Sequence, residues 1–496
     1  MQDLAPDSSA SRLEHIVIYG AGLAAQMTAA ALAHQAPPYI RISWLKSGEA
    51  PASDMFYGSV ATPISYDFNL LADVSEPQLV LNSSTAFSYG TLYQGWGGPD
   101  VSWVQAYHLP LPVLEGIPFQ HYLSQQGEDA LEDYIVSAMA ARRGAFAHPP
   151  EAQGHALSRA EYGYQFDAAS YGALFETLAA GRVEVMVGEL SQAERDGETI
   201  RALHLADGRK LTGDMFVDCS GPEAALLSQT GVSFTGGRRL AALSSLVPAS
   251  ELGEPVRRVT ARDFGWIAET PLQDAVARLI VFDPESEALA LKAQGEVAAQ
   301  KTELTLGAHN VAWFGNCVAI GQAAGVLEPV TPAPFIMLQR DIERLFSLLP
   351  VTTQMSVERR AFNHQYSDDY RHAGLFNRAL FEGIDLPDTP YWRAARLEAV
   401  DERLAGKIEQ FESRGLQVSF DLEPFTSEDW LILHYGMGRK PQRYDRVTDR
   451  ASKEKVAQYL MNMRRDIDLM VKAMPRHHVY MQGFKNYLKQ QAEVAS

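Results

Sequence analysis

The chain has 496 residues, 46% of them hydrophobic, enough for one large cofactor-binding core with a second layer of helices, or for two domains. Its formal net charge of −18, from 61 acidic and 43 basic side chains, opposes broad attraction to nucleic-acid phosphates or anionic lipid surfaces, and no polybasic run reverses this. Two cysteines, Cys219 and Cys317, exclude a disulfide framework and, without clustered histidines, a zinc site; both read as small buried hydrophobes, and no metal is expected.

Residues 1–11 are polar, and the first apolar run, Ile16-Val-Ile-Tyr19, is too short for a signal-peptide core or a membrane span. A cytoplasmic location is expected. His15-Ile-Val-Ile-Tyr19 reads as a buried strand, followed at once by Gly20-Ala-Gly22-Leu-Ala24-Ala25 and an alanine-rich helix to Ala33. Residues 39–45 alternate and are rich in β-branched and aromatic side chains, as a parallel second strand would be. Residues 50–118, dense in proline, glycine, serine and aromatics, suggest irregular pocket-lining loops. Further strands are expected at 183–187, 203–205, 215–217 and 318–320, with Asp207-Gly208 as a turn. After Pro334 the pattern becomes helical to the C-terminus, broken near residues 387–390 and at Pro424 and Pro441.

The first glycine turn carries the clearest chemistry. A phosphate-binding turn needs glycine where the backbone bends tightly and approaches a pyrophosphate, and a small residue where helix packs on strand; Gly20, Gly22 and Ala25 supply these. The free N–H groups of the helix start, through Ala24 and Ala25, would hold the phosphates. The acid expected at the end of the second strand is replaced by Lys46, which pairs with a phosphate or is simply a solvated surface lysine.

Two later segments carry a resemblance. Asp214-Met-Phe-Val-Asp218-Cys219-Ser220-Gly221 resembles the segment that returns the chain to the flavin in flavoprotein monooxygenases and tryptophan halogenases. Asn316-Cys-Val-Ala-Ile-Gly321-Gln322-Ala-Ala-Gly325-Val-Leu-Glu328-Pro329, followed by Leu338-Gln339-Arg340-Asp-Ile-Glu343-Arg344-Leu345, is similar to the tryptophan-halogenase stretch beside the flavin ring. Weaker matches, including Trp96-Gly97, Tyr162-Gly-Tyr164 and Tyr391-Trp392-Arg393, follow in the family's order.

The resemblance implies an α/β fold: an FAD-binding, Rossmann-like module of the flavoprotein monooxygenase and halogenase kind, with a mixed substrate-side layer and a helical C-terminal region. Residues 1–350 would form that module, with inserted substrate-facing segments at about 50–160 and 230–300, and residues 351–496 would pack on it. Expected FAD contacts are Gly20, Gly22, Ala24, Ala25, Lys46, Val187, Ser220, Gly221, Gly321, Gln322, Gly325 and Pro332. A separate flavin reductase is implied, and a homodimer by analogy alone.

In that family a flavin hydroperoxide oxidises halide, and a lysine beside the substrate indole delivers the halogen. The lysine position falls on Ser88, and no lysine occurs between Lys46 and Lys210. The family's active-site glutamate becomes Thr331, and its halide-binding threonine-glycine becomes Ala333-Pro334, where proline offers no N–H. A double-tryptophan motif keeps Trp266 and Pro271 but has Ala268 in place of its second tryptophan. The expected function is therefore FAD-dependent oxygenation of an electron-rich aromatic, an indole or a peptidyl tryptophan. Candidate catalytic groups are Ser88, Thr331 and His108, the last as an acid or base suited to neutral pH, with Tyr89, Trp96, Trp103 and His121 as further pocket candidates. Three alternatives stand beside this: halogenation using a lysine from the C-terminal half, an NAD(P)H-driven aromatic hydroxylase, and a non-catalytic flavin-binding partner protein.

Overall fold

The computed structural model describes residues 11–127, 130–150, 156–382, 387–397 and 401–495, so most of the polar N-terminal stretch lies outside the described residues. His15–Tyr19 is a fully buried strand at the centre of a sheet ordered Glu184–Val187, Arg41–Lys46, His15–Tyr19, Met215–Asp218 and Cys317–Ala319, all parallel, with Trp313–Phe314 antiparallel at one edge. A parallel sheet buried on both faces requires near-continuous apolar strands, which His15-Ile-Val-Ile-Tyr19 and Met215-Phe-Val-Asp218 are. The first strand has partners on both sides, so its carboxyl end opens at a topological switch point, where open α/β sheets bind ligands. Helix Leu23–Gln35 leaves that end; its alanines are buried nearly all round, and it packs against helix Ala168–Ala179.

A second sheet of eight strands runs Gly325–Val326, Gln300–His309, Phe234–Pro248, Ala275–Phe282, Gly265–Pro271, Arg257–Arg262, Gly90–Gln94 and Ser102–Ala106. Every pair is antiparallel except Arg257–Arg262 with Gly90–Gln94. The expectation of irregular loops over residues 50–118 is corrected here. The segment contributes two strands to this sheet, together with Ala86–Ser88, helices Ser65–Leu71 and Glu76–Asn82, and the short 3₁₀ helix Ala52–Tyr57. Its glycines and prolines mark ends of short elements, and Trp103, which suggested a loop wall, stacks on Tyr93 at 4.6 Å as a cross-strand pair. The Asp207-Gly208 turn is present, but it leads into the short strand Lys210–Thr212.

Helix Ala333–Ser347 opens the helical region. The buried Asp341 carboxylate accepts from the Gly321 N–H at 3.0 Å, from the Tyr370 hydroxyl at 3.1 Å and from Arg344 at 2.9 Å. That network clamps the helix to the Gly321 turn. Ser356–Ala379, Glu402–Arg414, Ser427–Gly436, Lys453–Ala473 and His477–Ala495 follow, and Ser427–Gly436 packs on strand Ser102–Ala106. Cys219 and Cys317 are free and buried. No helix among the described residues is long and apolar enough to cross a membrane.

Candidate functional site

The backbone leaves the first strand with φ of 138° at Gly20 and 80° at Gly22. A Cβ on Gly20 would lie 2.3 Å from the Cys219 carbonyl oxygen, and one on Gly22 would lie 2.2 Å from Asp54 Oδ2, so glycine is needed for space as well as conformation. No side chain of Gly22 can cap helix Leu23–Gln35; instead the Leu23 N–H donates to Asp54 Oδ2 at 2.8 Å. A carboxylate on the free amides of a helix start is the contact a phosphate makes there. Burial raises the Asp54 carboxyl to about 7.

The short helix carrying Asp54 reaches across to the second glycine stretch. The Gln322 N–H donates to the Tyr57 hydroxyl at 3.2 Å, and Gln322 Nε2 donates to the Ser53 carbonyl at 2.8 Å. A Cβ on Gly321 would lie 2.5 Å from the Tyr57 hydroxyl, and the Pro51 and Ser53 side chains lie against Gly221. Gly20, Gly22, Gly221, Gly321 and Gln322 therefore gather around one segment, Pro51 to Tyr57, which packs against them. The Leu23 N–H already meets a carboxyl oxygen, and side-chain-free backbone stands at each glycine, so the donor set fits a pyrophosphate-bearing cofactor only where Asp54 gives way.

Other candidates fall outside that cluster. Lys46 is partly exposed and its Nζ pairs with Glu176 at 2.7 Å, while Gln26 Nε2 donates to the same carboxylate at 3.1 Å. A carboxylate thus does stand at the end of the second strand, arriving from helix Ala168–Ala179. The Val187 side chain is exposed. Gly325 pairs with Ala308 in the eight-stranded sheet and lies against the Tyr370 ring. Ser220 donates through Oγ to Asp218, whose buried carboxylate also accepts from the N–H groups of Leu226 and Leu227. Ala24 and Ala25 are buried in the first turn of the helix.

At the far end, Glu328 is buried and held by three donors: Trp266 Nε1 at 2.8 Å, the Tyr391 hydroxyl and the Arg238 guanidinium. Trp266 thus keeps the glutamate of the glutamate-proline pair in place. Thr331 is fully buried; its hydroxyl donates to Asn377 and accepts from the Ala333 N–H at 3.2 Å at the start of helix Ala333–Ser347.

Pro332, one residue on, lines a cavity of about 400 Å³ with His108, Tyr107, Gln105, Glu161 and Asp429, a size typical of small-molecule sites. No lysine or arginine is among the described residues that line it. His108 donates through Nδ1 to the Leu109 carbonyl, which leaves Nε2 as an acceptor. The expectation that it titrates near neutrality is corrected: burial pulls its imidazole down to about 4, so it is neutral at pH 7. Ser88 is fully buried beside the Tyr107 phenol, with its hydroxyl turned onto the Gly90 backbone at 3.3 Å. Tyr89, Trp96, Trp103 and His121 lie outside the cavity wall.

The residue that sequence reading missed is Arg257, fully buried behind Tyr93 and Trp266. It shares strand parity with the buried Val259, and that parity was the available signal. Asp54 and Tyr57 were missed because only the folded chain brings them to glycines distant in sequence.

Comparisons place these features among known proteins. The tryptophan halogenase family model matches residues 15–453. The chain is 24% identical over 441 residues to tryptophan 6-halogenase SttH of Streptomyces toxytricini, covering 80% of this chain and 84% of that one. It is 25% identical over 457 residues to tryptophan 6-halogenase ThaL of Streptomyces albogriseolus, covering 84% and 85%. Among solved structures it is similar to BrvH, a flavin-dependent halogenase from Brevundimonas sp. BAL3, with a TM-score of 0.87, 27% identity and coverage of 95% and 99%. A flavin-dependent halogenase from Xanthomonas campestris gives a TM-score of 0.86 at 25% identity, covering 95% and 98%. With the matched region spanning both glycine stretches, the cavity wall and most of the helical region, the chain belongs to the tryptophan halogenase family.

Proposed function

We propose that this chain binds FAD in the groove between Gly20 and Gly321 and oxygenates an electron-rich aromatic held in the cavity beside Pro332. The observation that carries the reading is the convergence of His108 and Pro332 on one cavity, which sets a substrate wall against the stretch expected beside the flavin. Reduced flavin, supplied by a separate reductase, activates dioxygen when bound. The chain's own residues then have three tasks. Gly20, Gly22 and the Leu23 N–H hold phosphate, Phe376, Phe425 and Ile336 exclude water and grip the aromatic, and His108 Nε2 accepts a hydrogen bond from a substrate N–H or O–H. The absence of a lysine at Ser88 and from the cavity wall favours oxygen over halogen transfer.

The test is to incubate the chain with FAD, a flavin reductase and indole-bearing compounds, in chloride, in bromide and in neither, and to weigh the products. A gain of one oxygen atom in all three media supports the reading. A halogen in place of hydrogen, appearing only with halide, overturns it. Halogen transfer is the second reading, and one observation favours it: a buried cation, Arg257, stands behind the cavity although the lysine is gone.

A further inference from the structure

We propose that Arg257 is the core of a binding site for a small monovalent anion, of halide size, between the flavin groove and the substrate cavity. Arg257 has no exposed surface. Of its N–H groups, those of Nη2 reach the Pro329 carbonyl at 2.6 Å, whereas Nε and Nη1 have no hydrogen-bond partner among the described residues. No carboxylate pairs with it among those residues, although the neighbouring Arg258 meets both Glu254 and Glu269.

A guanidinium does not escape this position by losing its proton: burial lowers it only to about 10, so it remains a cation at neutral pH. An uncompensated buried charge is costly, and a folded protein retains one where an anion completes it. The surroundings supply the rest of such a site. The Trp266 ring lies 5.7 Å from the guanidinium carbon, giving a weak cation–π contact that cannot neutralise the charge. Thr91, the register partner of Arg257 on the adjacent parallel strand, has a buried hydroxyl without a partner among the described residues and able to donate.

Location gives the site its meaning. A Cβ on Gly58 would lie 3.7 Å from Arg257 Nη1 and 3.5 Å from Pro329, so that glycine leaves room on the groove side. On the other side the charge reaches Tyr107, which lines the cavity and touches Ser88. The cation that Ser88 does not provide is thus supplied from a different strand. Two guanidinium nitrogens without a protein partner among the described residues, in a fully buried side chain, suit a monatomic anion better than a phosphate, which would need more volume and more donors. The inference concerns binding and holds whichever atom is transferred to substrate.

The experiment uses the purified full chain without FAD and bromide as probe. Thermal unfolding is followed in sodium bromide and in sodium gluconate at equal ionic strength, and bromide-soaked crystals are examined at the bromine absorption edge. Bromide at about ten times its Kd should raise the wild-type Tm by about 2 °C over gluconate. Arg257→Met should lose that response while unfolding at an equal or higher temperature in gluconate, and Arg257→Lys should bind bromide about tenfold more weakly, because an ammonium lacks the fork. An anomalous peak within hydrogen-bond reach of Arg257 supports the site without any variant. Equal Tm in the two salts, a retained response in Arg257→Met, or bromide found only at the surface overturns it.

Discussion

The Asp54 carboxylate accepts from the Leu23 N–H at 2.8 Å, so a side chain of this protein stands on the helix start that the glycine turn prepares for phosphate. FAD bound as proposed would displace it. The buried carboxyl titrates at about 7, against roughly 4 in water. A raised carboxyl pKa stabilises the closed arrangement below about pH 4, and that contribution is lost as pH rises through 7, so FAD affinity should rise about tenfold from pH 6 to pH 8. Asp54→Ala should bind FAD more tightly than wild type, with a flat pH profile. Flavin fluorescence titrations check this, and weaker binding by the variant would show Asp54 to be a cofactor ligand.

Glu328 ties Trp266, Tyr391 and Arg238 into one buried knot. Glu328→Gln removes the charge facing Arg238 and should cost about 3 kcal/mol, whereas Trp266→Phe, which removes one of three donors, should cost about 1 kcal/mol. Urea unfolding gives both values. Equal costs would mean that Trp266, not the carboxylate, holds the knot together.

How much of this was legible in the sequence depends on the range of the interactions. The His15–Tyr19 strand, the Gly20–Gly22 turn and the following helix were readable because strand apolarity, glycine geometry and helix propensity act within a few residues. Residues 50–118 were misread because the hairpin of Gly90–Gln94 and Ser102–Ala106 joins the large sheet through pairing with Arg257–Arg262, far along the chain. Lys46 looked like a phosphate ligand or a surface lysine because nothing local discloses Glu176 on a later helix. His108 looked poised for neutral pH because burial, which sets its proton affinity, is a property of the closed cavity.

The cavity wall carries Glu161, Glu428 and Asp429, each raised from the usual carboxyl range by burial; the charges of Asp429 and Glu428 add to this at Glu161 and that of Asp429 at Glu428, where Arg159 opposes it, while hydrogen bonds from Thr426 and Gln105 oppose it at Asp429. Gln105 adds a buried carbonyl oxygen with no partner. An acceptor-rich wall favours an ammonium over a carboxylate. Tryptamine should therefore bind at least about tenfold more tightly than indole-3-propionate, the effect of one partly buried charge contact. Glu161→Gln should narrow the gap in calorimetric titrations; a preference for the propionate would remove the electrostatic reading of the pocket.

Lys46 and Glu176 form a partly exposed pair, so Lys46→Ala should cost no more than about 1 kcal/mol of stability. FAD affinity should change less than about threefold, because the lost partner touches Glu176 and not the phosphate. A loss of a hundredfold or more would return Lys46 to the phosphate.

Restoring the family lysine at Ser88 tests whether the cation has moved to Arg257. Ser88 is fully buried beside Tyr107, and Tyr107 lies in the field of Arg257, so Ser88→Lys places a second buried cation near the first. Overpacking and desolvation together should cost about 3 kcal/mol or more. Halogen transfer should not appear, because Thr331 offers no carboxylate to work with the new ammonium. Combining the change with Arg257→Met removes the repulsion, so the double variant should recover about 1–2 kcal/mol relative to the sum of the single changes. A cycle measured by denaturant unfolding in a halide-free buffer isolates that coupling. If the two changes are additive, the positions do not share one electrostatic site, and Arg257 does not stand in for the lost lysine.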